Sequence, residues 1–208
     1  TNTVGIYTIT MHASAEISTT GTITATVIPS NTIAIGDTHY ITTADDFTKK
    51  VTEVTGTSAE ILTFSNAKAY KLTDLTEDGT VSVRNVAGYT NVVGTYYPVI
   101  QSDKDPTAHA TIRATIVPAN TIAIGTTDYI VADNFVKKVS EATGTTAEII
   151  SFANARAYKI SDHTLSGTVT VSNANGYTNV VGTYTPTLSA SNDATATGSI
   201  SATIIPDN

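Results

Sequence analysis

Four histidines and a few neighbouring carboxylates are the residues in this sequence whose types can do chemistry. A catalytic triad or a zinc site needs a histidine beside a carboxylate or a second ligand. No spacing of that kind appears around His12, His39, His109 or His163. They also stand where related stretches of the same chain carry Gln101, Asp128, Thr197 and Leu75. We therefore expect no catalytic residues and no enzymatic activity. Neither GxxxxGK[ST] nor GxGxxG occurs, so no nucleotide cofactor is expected. With no cysteine there is no thiolate metal site, disulfide or cysteine nucleophile.

Hard cations prefer carboxylate and carbonyl oxygen. Asp45-Asp46 before Phe47, and Asp133-Asn134 before Phe135, can supply such oxygens, which makes Asp45, Asp46 and Asp133 candidate calcium ligands. Calcium takes six or more oxygens, so the competing reading is a polar turn. A Lys-to-Asn crosslink is a further alternative, pairing Lys49 or Lys50 with Asn66, and Lys137 or Lys138 with Asn154. It needs a buried carboxylate, for which Glu60 and Glu148 are the retained candidates. Aromatic residues retained between related stretches, among them Tyr40/Tyr129, Phe47/Phe135 and Tyr89/Tyr177, suit either a small core or a glycan platform.

Charge narrows the partners. A formal charge of −7, a pI near 4.9 and basic clusters no larger than Lys49-Lys50 and Lys137-Lys138 exclude a phosphate-tracking surface, and with it nucleic acid. No apolar run reaches the roughly 18 residues of a membrane span, and no basic-then-apolar leader opens the sequence. The chain reads as a soluble, mature fragment without membrane insertion. Its 40% hydrophobic content is enough to fold, and abundant Thr, Ser, Ala and Val without Trp favours short strands.

The elements that must position these residues come in copies. Asn31–Gly36 (NTIAIG) returns at Asn120–Gly125, and Gly88–Tyr96 (GYTNVVGTY) returns at Gly176–Tyr184 with one residue fewer between the two anchors. The deletion falls near Thr42-Thr43, opposite Val131. Residues 1–31 match 90–120 and 178–208. Pro29, Pro118 and Pro206 each end an alternating strand, which places boundaries there: 1–31 as the last two strands of a truncated upstream repeat, then full repeats at 32–120 and 121–208. The alternative frame, 1–89 and 90–177, cuts through VAGYTN and NANGYTN, which read as hairpin turns.

Period-two runs at Thr80–Arg84, Thr168–Ser172 and in ATIRATIV and GSISATII mark strands. Between them, Gly56–Tyr70 and Gly144–Tyr158 break that period and set Ile61, Phe64 and Ala67 at helical spacing. Thr57 with Glu60, and Thr145 with Glu148, form capping boxes for one short helix per repeat. The expected core is Ile33, Ile35, Phe47, Val51, Ile61, Phe64, Tyr70, Val81, Val83, Tyr96 and Ile116, with their counterparts.

In the segments DDFTKKVTEVTG…AEILTFSNAKAY, GTVSVRNVAGYTNVVGTYYPV and ATIRATIVP, and in their second copies, the chain resembles the bacterial Ig-like repeats of large cell-wall-anchored surface proteins and adhesins. The resemblance covers the whole chain. It implies an all-β fold of tandem Ig-like β-sandwich domains, with one short helical crossover each on our reading, and it makes Tyr7, Tyr96 and Tyr184 core tyrosines of the penultimate strand. Pro98 and Pro186 depart from the usual Val or Ile, kept here as Ile9, and imply a free edge or bulge. No LPxTG motif is present. The function implied is a structural stalk or spacer, extracellular at a bacterial cell surface, with neighbouring repeats as partners. Two alternatives stand beside it: a filament- or surface-layer-forming module pairing strand edges with copies of itself, and a module binding a glycan or host surface ligand.

Overall fold

The computed structural model describes residues 3–42 and 44–207. Thr43, beside which the deletion was placed, and residues 1, 2 and 208 at the expected repeat ends lie outside the described residues. Two strands open the chain, β1 (Gly5–Ala13) and β2 (Glu16–Val27). There follow β3 (Thr32–Ile35), β4 (His39–Thr42), β5 (Phe47–Lys50), a 3-10 turn, α1 (Ser58–Ser65), β6 (Lys68–Lys71), β7 (Val81–Asn85), β8 (Gly94–Tyr96), β9 (Val99–Ser102), β10 (His109–Thr111) and β11 (Ala114–Val117). The same series then recurs as β12 (Thr121–Ile124), β13 (Asp128–Val131), β14 (Phe135–Lys138), a 3-10 turn, α2 (Thr146–Phe152), β15 (Arg156–Lys159), β16 (Val169–Asn173), β17 (Gly182–Tyr184), β18 (Thr187–Ala190), β19 (Thr197–Ser199) and β20 (Ala202–Ile205).

The sheets match copy for copy: β3-β4-β6, β10-β9-β7 and β5-β11-β8, then β12-β13-β15, β19-β18-β16 and β14-β20-β17. In the second copy β20 takes β17 antiparallel on one side and β14 parallel on the other. Ile130, Ile149, Leu188, Ala202 and Ile204 close on one core there. The protein is all-β, built of Ig-like sandwiches with one short helical crossover each. By contacts it divides into two compact units. One comprises residues up to Phe47, Gly56–Thr90 and Tyr96–Ala114; the other comprises Thr48–Thr55, Asn91–Thr95 and residues from Thr115 on. Among the described residues no helix is long and apolar enough to cross a membrane.

Local chemistry sets the helix ends. Glu60 accepts from the N–H groups of Gly56 (2.9 Å) and Thr57 (3.3 Å), the expected cap of α1. In α2 the Thr145 box is replaced: Glu148 reaches further back, to the N–H groups of Thr143 (2.8 Å) and Gly144 (2.7 Å). Asn66, in the left-handed region at φ 52°, ends α1, so Ala67 lies outside the helix.

Several expectations need correction. Ile33 and Ile35 are 40% and 61% exposed, while Ala34 between them is buried. The period is right but its phase is opposite, because the inner face meets another strand too closely for large side chains; in the second copy a Cβ added to Gly198 would collide with the Ile122 carbonyl and touch Ala123. Val51, Phe64, Tyr70, Val81, Val83 and Tyr96 are half-buried, whereas Phe47, Ile61 and Ile116 are buried. The turns Ala87-Gly88 and Asn175-Gly176 do carry paired positive φ angles, but they join strands of different sheets instead of closing hairpins. Pro98 and Pro186 do follow edge strands, β8 and β17, and a register shift in β7 and β16 lies opposite the residues after them. They sit where the chain leaves one sheet for another, and their carbonyls accept from Ile112 N–H (3.0 Å) and Ile200 N–H (3.2 Å) at the return crossing.

The phase reversal has a measurable consequence. Ile35→Thr shifts unfolding stability by no more than about 0.5 kcal/mol, as an exposed substitution does. Ile41→Ala, at a fully buried position, costs about 2–5 kcal/mol. Urea unfolding followed by circular dichroism separates the two.

Candidate functional site

The calcium candidates are occupied by backbone work. Asp46 Oδ1 accepts from Arg113 N–H at 2.7 Å, and its other oxygen lies 3.5 Å from the Arg113 guanidinium. Asn134 makes the equivalent bond to Ser201 N–H at 2.7 Å, so a neutral amide serves in the second copy. Asp133 Oδ1 accepts from the Asn120 side chain at 2.8 Å. Asp45 and Asp133 each donate their own N–H to a carbonyl at the end of the helix, Ser65 and Ala153, at 2.9 Å. All three aspartates are exposed. Among the described residues no three His, Cys, Asp or Glu side chains are grouped to hold a metal ion.

The most constrained polar group was not singled out from the sequence. Asp105 is 5% exposed, and its Oδ2 accepts from the N–H groups of Thr38 (2.6 Å) and His39 (3.0 Å) and from the Thr38 hydroxyl (3.1 Å). Its Oδ1 accepts from the N–H (3.1 Å) and hydroxyl (2.5 Å) of Thr107. Asp193 repeats this cage with Thr127, Asp128 and Thr195. Burial alone would raise both carboxyls, but the hydroxyl and N–H donors stabilise the charged form and hold both well below the usual carboxylate range. The legible signal was Asp-x-Thr at 105–107 and 193–195, retained together with Gly36 and Gly125, 69 and 68 residues before the aspartates. A Cβ on Gly36 would stand 2.6 Å from Asp105 Oδ2, and one on Gly125 2.5 Å from Asp193 Oδ2, so only glycine fits.

Beside the first cage, His39 does have a carboxylate neighbour, 39 residues away in sequence: Nε2 lies 3.1 Å from Asp78 Oδ2 and Nδ1 2.8 Å from the Thr38 hydroxyl. This is the bonding order of a hydroxyl–base–acid relay. Here Thr38 is also engaged by Asp105, and the ring is 7% exposed. The second copy places Asp128 and Ser166 at these two positions, bonded at 2.8 Å. One hydrogen-bonded pair has been exchanged for another, which marks packing and not shared chemistry. His12 and His109 bond exposed backbone carbonyls, Ile17 and Pro106, and Tyr129 OH lies 3.0 Å from His163 Nδ1.

The retained aromatics pack on one another. Phe47 meets Phe64 at 5.2 Å and Tyr89 at 6.1 Å, and Tyr89 meets Tyr96 at 5.7 Å; Phe135, Phe152, Tyr177 and Tyr184 reproduce the chain. Burial first, then the Glu60 carboxylate, pushes the Tyr89 hydroxyl up to about 12. Tyr177 donates to Glu148 at 2.8 Å, so the carboxylates considered for a crosslink are tied to tyrosine and backbone. Asn66 and Asn154, the crosslink candidates, are retained at positions with φ 52° and 48°, where Asn is favoured. Lys137 Nζ lies 4.9 Å over the Phe152 ring. A shallow groove recurs in both copies, about 320 Å³ beside Leu62, Lys68 and Glu77 and about 300 Å³ beside Ile150, Arg156 and Leu165. Lys68 and Glu77 pair at 3.0 Å in the first, and Arg156 and Leu165 stand in their places in the second.

No family model matches the chain, and no curated protein matches it. Among solved structures it is similar to the protocadherin gamma B7 extracellular cadherin domains 1–4, at 9% identity and a TM-score of 0.25, over 91% of this chain and 55% of that one. The chain thus spans about half the length of that structure.

Two outcomes test this account. Asp193→Asn leaves buried donors facing an amide nitrogen and costs about 1–3 kcal/mol at pH 7. A carboxylate depressed in the folded state adds stability above its unfolded pKa of about 3.9 and loses it as pH falls through the folded value. The penalty of the variant therefore shrinks in acid, as urea titrations at pH 7 and pH 2 will read. For the exchanged pair, His39→Asp alone sets two carboxylates together and destabilises. Adding Asp78→Ser restores stability, with a coupling of at least about 1 kcal/mol in a double-mutant cycle.

Proposed function

We propose that this chain is a run of structural spacer repeats, 32–120 and 121–208, from an adhesin-like protein of a bacterial cell surface, and that it has no catalytic role. The observation that carries the reading is the state of the joint at 117–121. A flexible linker would be solvated and free of fixed bonds. Val117 is instead fully buried with Tyr129 and Ile160, and Ile124, Val131 and Tyr158 pack against them. Thr121 N–H donates to Pro118 O at 3.1 Å, Ala132 N–H to Asn120 O at 3.2 Å, and the Asn120 amide to Asp133 at 2.8 Å. The earlier proline joint has the same turn, with the Thr32 N–H and hydroxyl donating to Pro29 O at 3.1 and 2.7 Å. The turns after Pro29 and Pro118 are thus held by fixed hydrogen bonds, which supports the spacer reading.

The recurring groove favours a ligand-binding module less well, since its charged wall in one copy is replaced by Arg156 and Leu165 in the other. The aromatic side chains a glycan platform would use are stacked on one another.

Inserting one further copy of residues 32–120 after Asn120 tests the spacer directly. Small-angle scattering should give a monomer mass at every concentration and a maximum dimension that rises by a constant step per added copy. A mass that climbs with concentration transfers the assignment to a self-assembling module, and an unchanged dimension removes the spacer reading.

A further inference from the structure

The groove beside the helix keeps its frame in both copies and changes its charge. Ala67, Ala69 and Gly79 line it in the first copy, and Ala155, Ala157 and Gly167 in the second. The segment along its rim runs the same way in each. Glu77 bridges to Tyr70 and Leu165 to Tyr158, and the next N–H, of Asp78 or Ser166, donates to Ala69 O at 3.0 Å or to Ala157 O at 2.9 Å. The backbone thereby sets residues 77 and 165 in equivalent places. Lys68 and Arg156 are equivalent too, each opening its strand, β6 or β15.

In the first copy the cation has its anion, with Lys68 Nζ 3.0 Å from Glu77 Oε2. In the second, Leu165 supplies no carboxylate, and among the described residues none pairs with Arg156. A guanidinium is always charged, is weakly hydrated and offers a planar fork that matches a carboxylate. Beside it Leu165 is 61% exposed, an apolar surface where the first copy has a charge. Two depressions of about 300 and 290 Å³ adjoin at Arg156 and share Ile150 and Ala155, a size at the lower end of small-molecule sites. The end of α2 lies close by, but its Ile149, Ile150 and Ser151 carbonyls accept from the N–H groups of Ala153, Ala155 and Asn154, which lessens their repulsion of an anion.

We propose that the groove of the second copy is a binding site for a small aliphatic carboxylate. Its carboxyl group takes on Arg156 the place that Glu77 takes beside Lys68, and its apolar body lies along Leu165 and Ile150. The first copy carries that anion in its own chain and is closed to the ligand. The site belongs to one copy only, so it goes beyond the spacer reading and stands or falls separately from it.

Titrating the full chain with hexanoate, followed by amide nuclear magnetic resonance, tests the site. The expected result is a saturable set of shifts at residues 154–157 and 165–167, with the neutral analogue hexanamide at least about 10-fold weaker. Arg156→Gln abolishes the shifts. Leu165→Glu abolishes them too, because a carboxylate of the chain then closes on Arg156 as Glu77 does on Lys68. Glu77→Leu opens the first copy, and a second saturable set appears around Lys68. All three variants change exposed side chains, so the remaining amide spectrum stays that of the folded chain. Shifts that never saturate, that survive Arg156→Gln, or that hexanamide reproduces at equal concentration overturn the proposal. So does a Leu165→Glu chain that binds hexanoate as well as the unaltered one.

Discussion

One buried carboxylate per copy ties the sandwich together. Asp105 lies in the turn between β9 and β10 and Asp193 in the turn between β18 and β19, and each accepts from the turn after the first strand of its copy, 65–67 residues earlier. A carboxylate offers about four acceptor positions, and these two use theirs on N–H groups and hydroxyls of two turns, among them the N–H groups of the buried His39 and Asp128. The β3-β4-β6 sheet is thereby fixed against the β10-β9-β7 sheet at one end, and the corresponding sheets of the second copy likewise. The consequence runs into the sequence. The approach is so close that a Cβ at Gly36 or Gly125 would stand 2.5–2.6 Å from the carboxylate and from the N–H of Ala108 or Ala196. Glycine is required at the end of NTIAIG, alanine follows the Asp-x-Thr turn, and small side chains line the inner face of the first strand. The most repetitive hexamer in the chain is the imprint of this one contact.

How much of this was legible follows from distance along the chain. Interactions within a few residues could be read: the Glu60 cap, the strands at Val81–Asn85 and Val169–Asn173, and the helix over Ser58–Ser65. Period-two alternation identified strands but not which phase faces inward, and at Ile33 and Ile35 hydrophobicity pointed the wrong way because close packing favoured Ala34. Pro98 signalled a broken ladder without saying that the chain changes sheets there. The carboxylate cage and the His39–Asp78 bond join residues dozens of positions apart, and no local pattern announces them. Comparing the two copies supplied what signal there was. Asp-x-Thr and NTIAIG are retained together, whereas His39 and Asp78 change together to Asp128 and Ser166.

That pattern of retention and change bears on function. Retained between copies are the cage, the aromatic chain from Phe47 to Tyr96 with its counterpart, the helix-capping glutamates and the left-handed Asn66 and Asn154, all of them internal or conformational. What differs includes the walls of the recurring groove, the histidines and the exposed partner of the last strand, Asp46 against Asn134. A ligand site shared by the copies would show the opposite distribution, with its lining fixed and its scaffold free to drift. Retention of these interior features beside a varied groove wall supports the spacer proposed above.

The opening β1–β2 hairpin separates two contributions to the fold. β1 and β2 keep the register of the tail strands, Tyr7 opposite Ala25 as Tyr184 is opposite Ala202, and pair Ile9 with Ile23, in strands of nine and twelve residues that run on without changing sheet. Pairing between neighbouring strands is therefore enough to set the register. In the full copies the same stretch is broken at Pro98 or Pro186, and its halves join different sheets. Proline contributes by removing an N–H from the ladder, and the Pro98 carbonyl takes up Ile112 N–H where the chain crosses back. The rest of the break comes from the preceding segment, whose β3-β4-β6 and β5 strands and helix cover the two halves on different sides. Local pairing writes the register, and burial against the body folds that ribbon into a sandwich; the two steps rest on different residues, and substitutions such as Ile9 for Pro98 can alter the second while leaving the first intact.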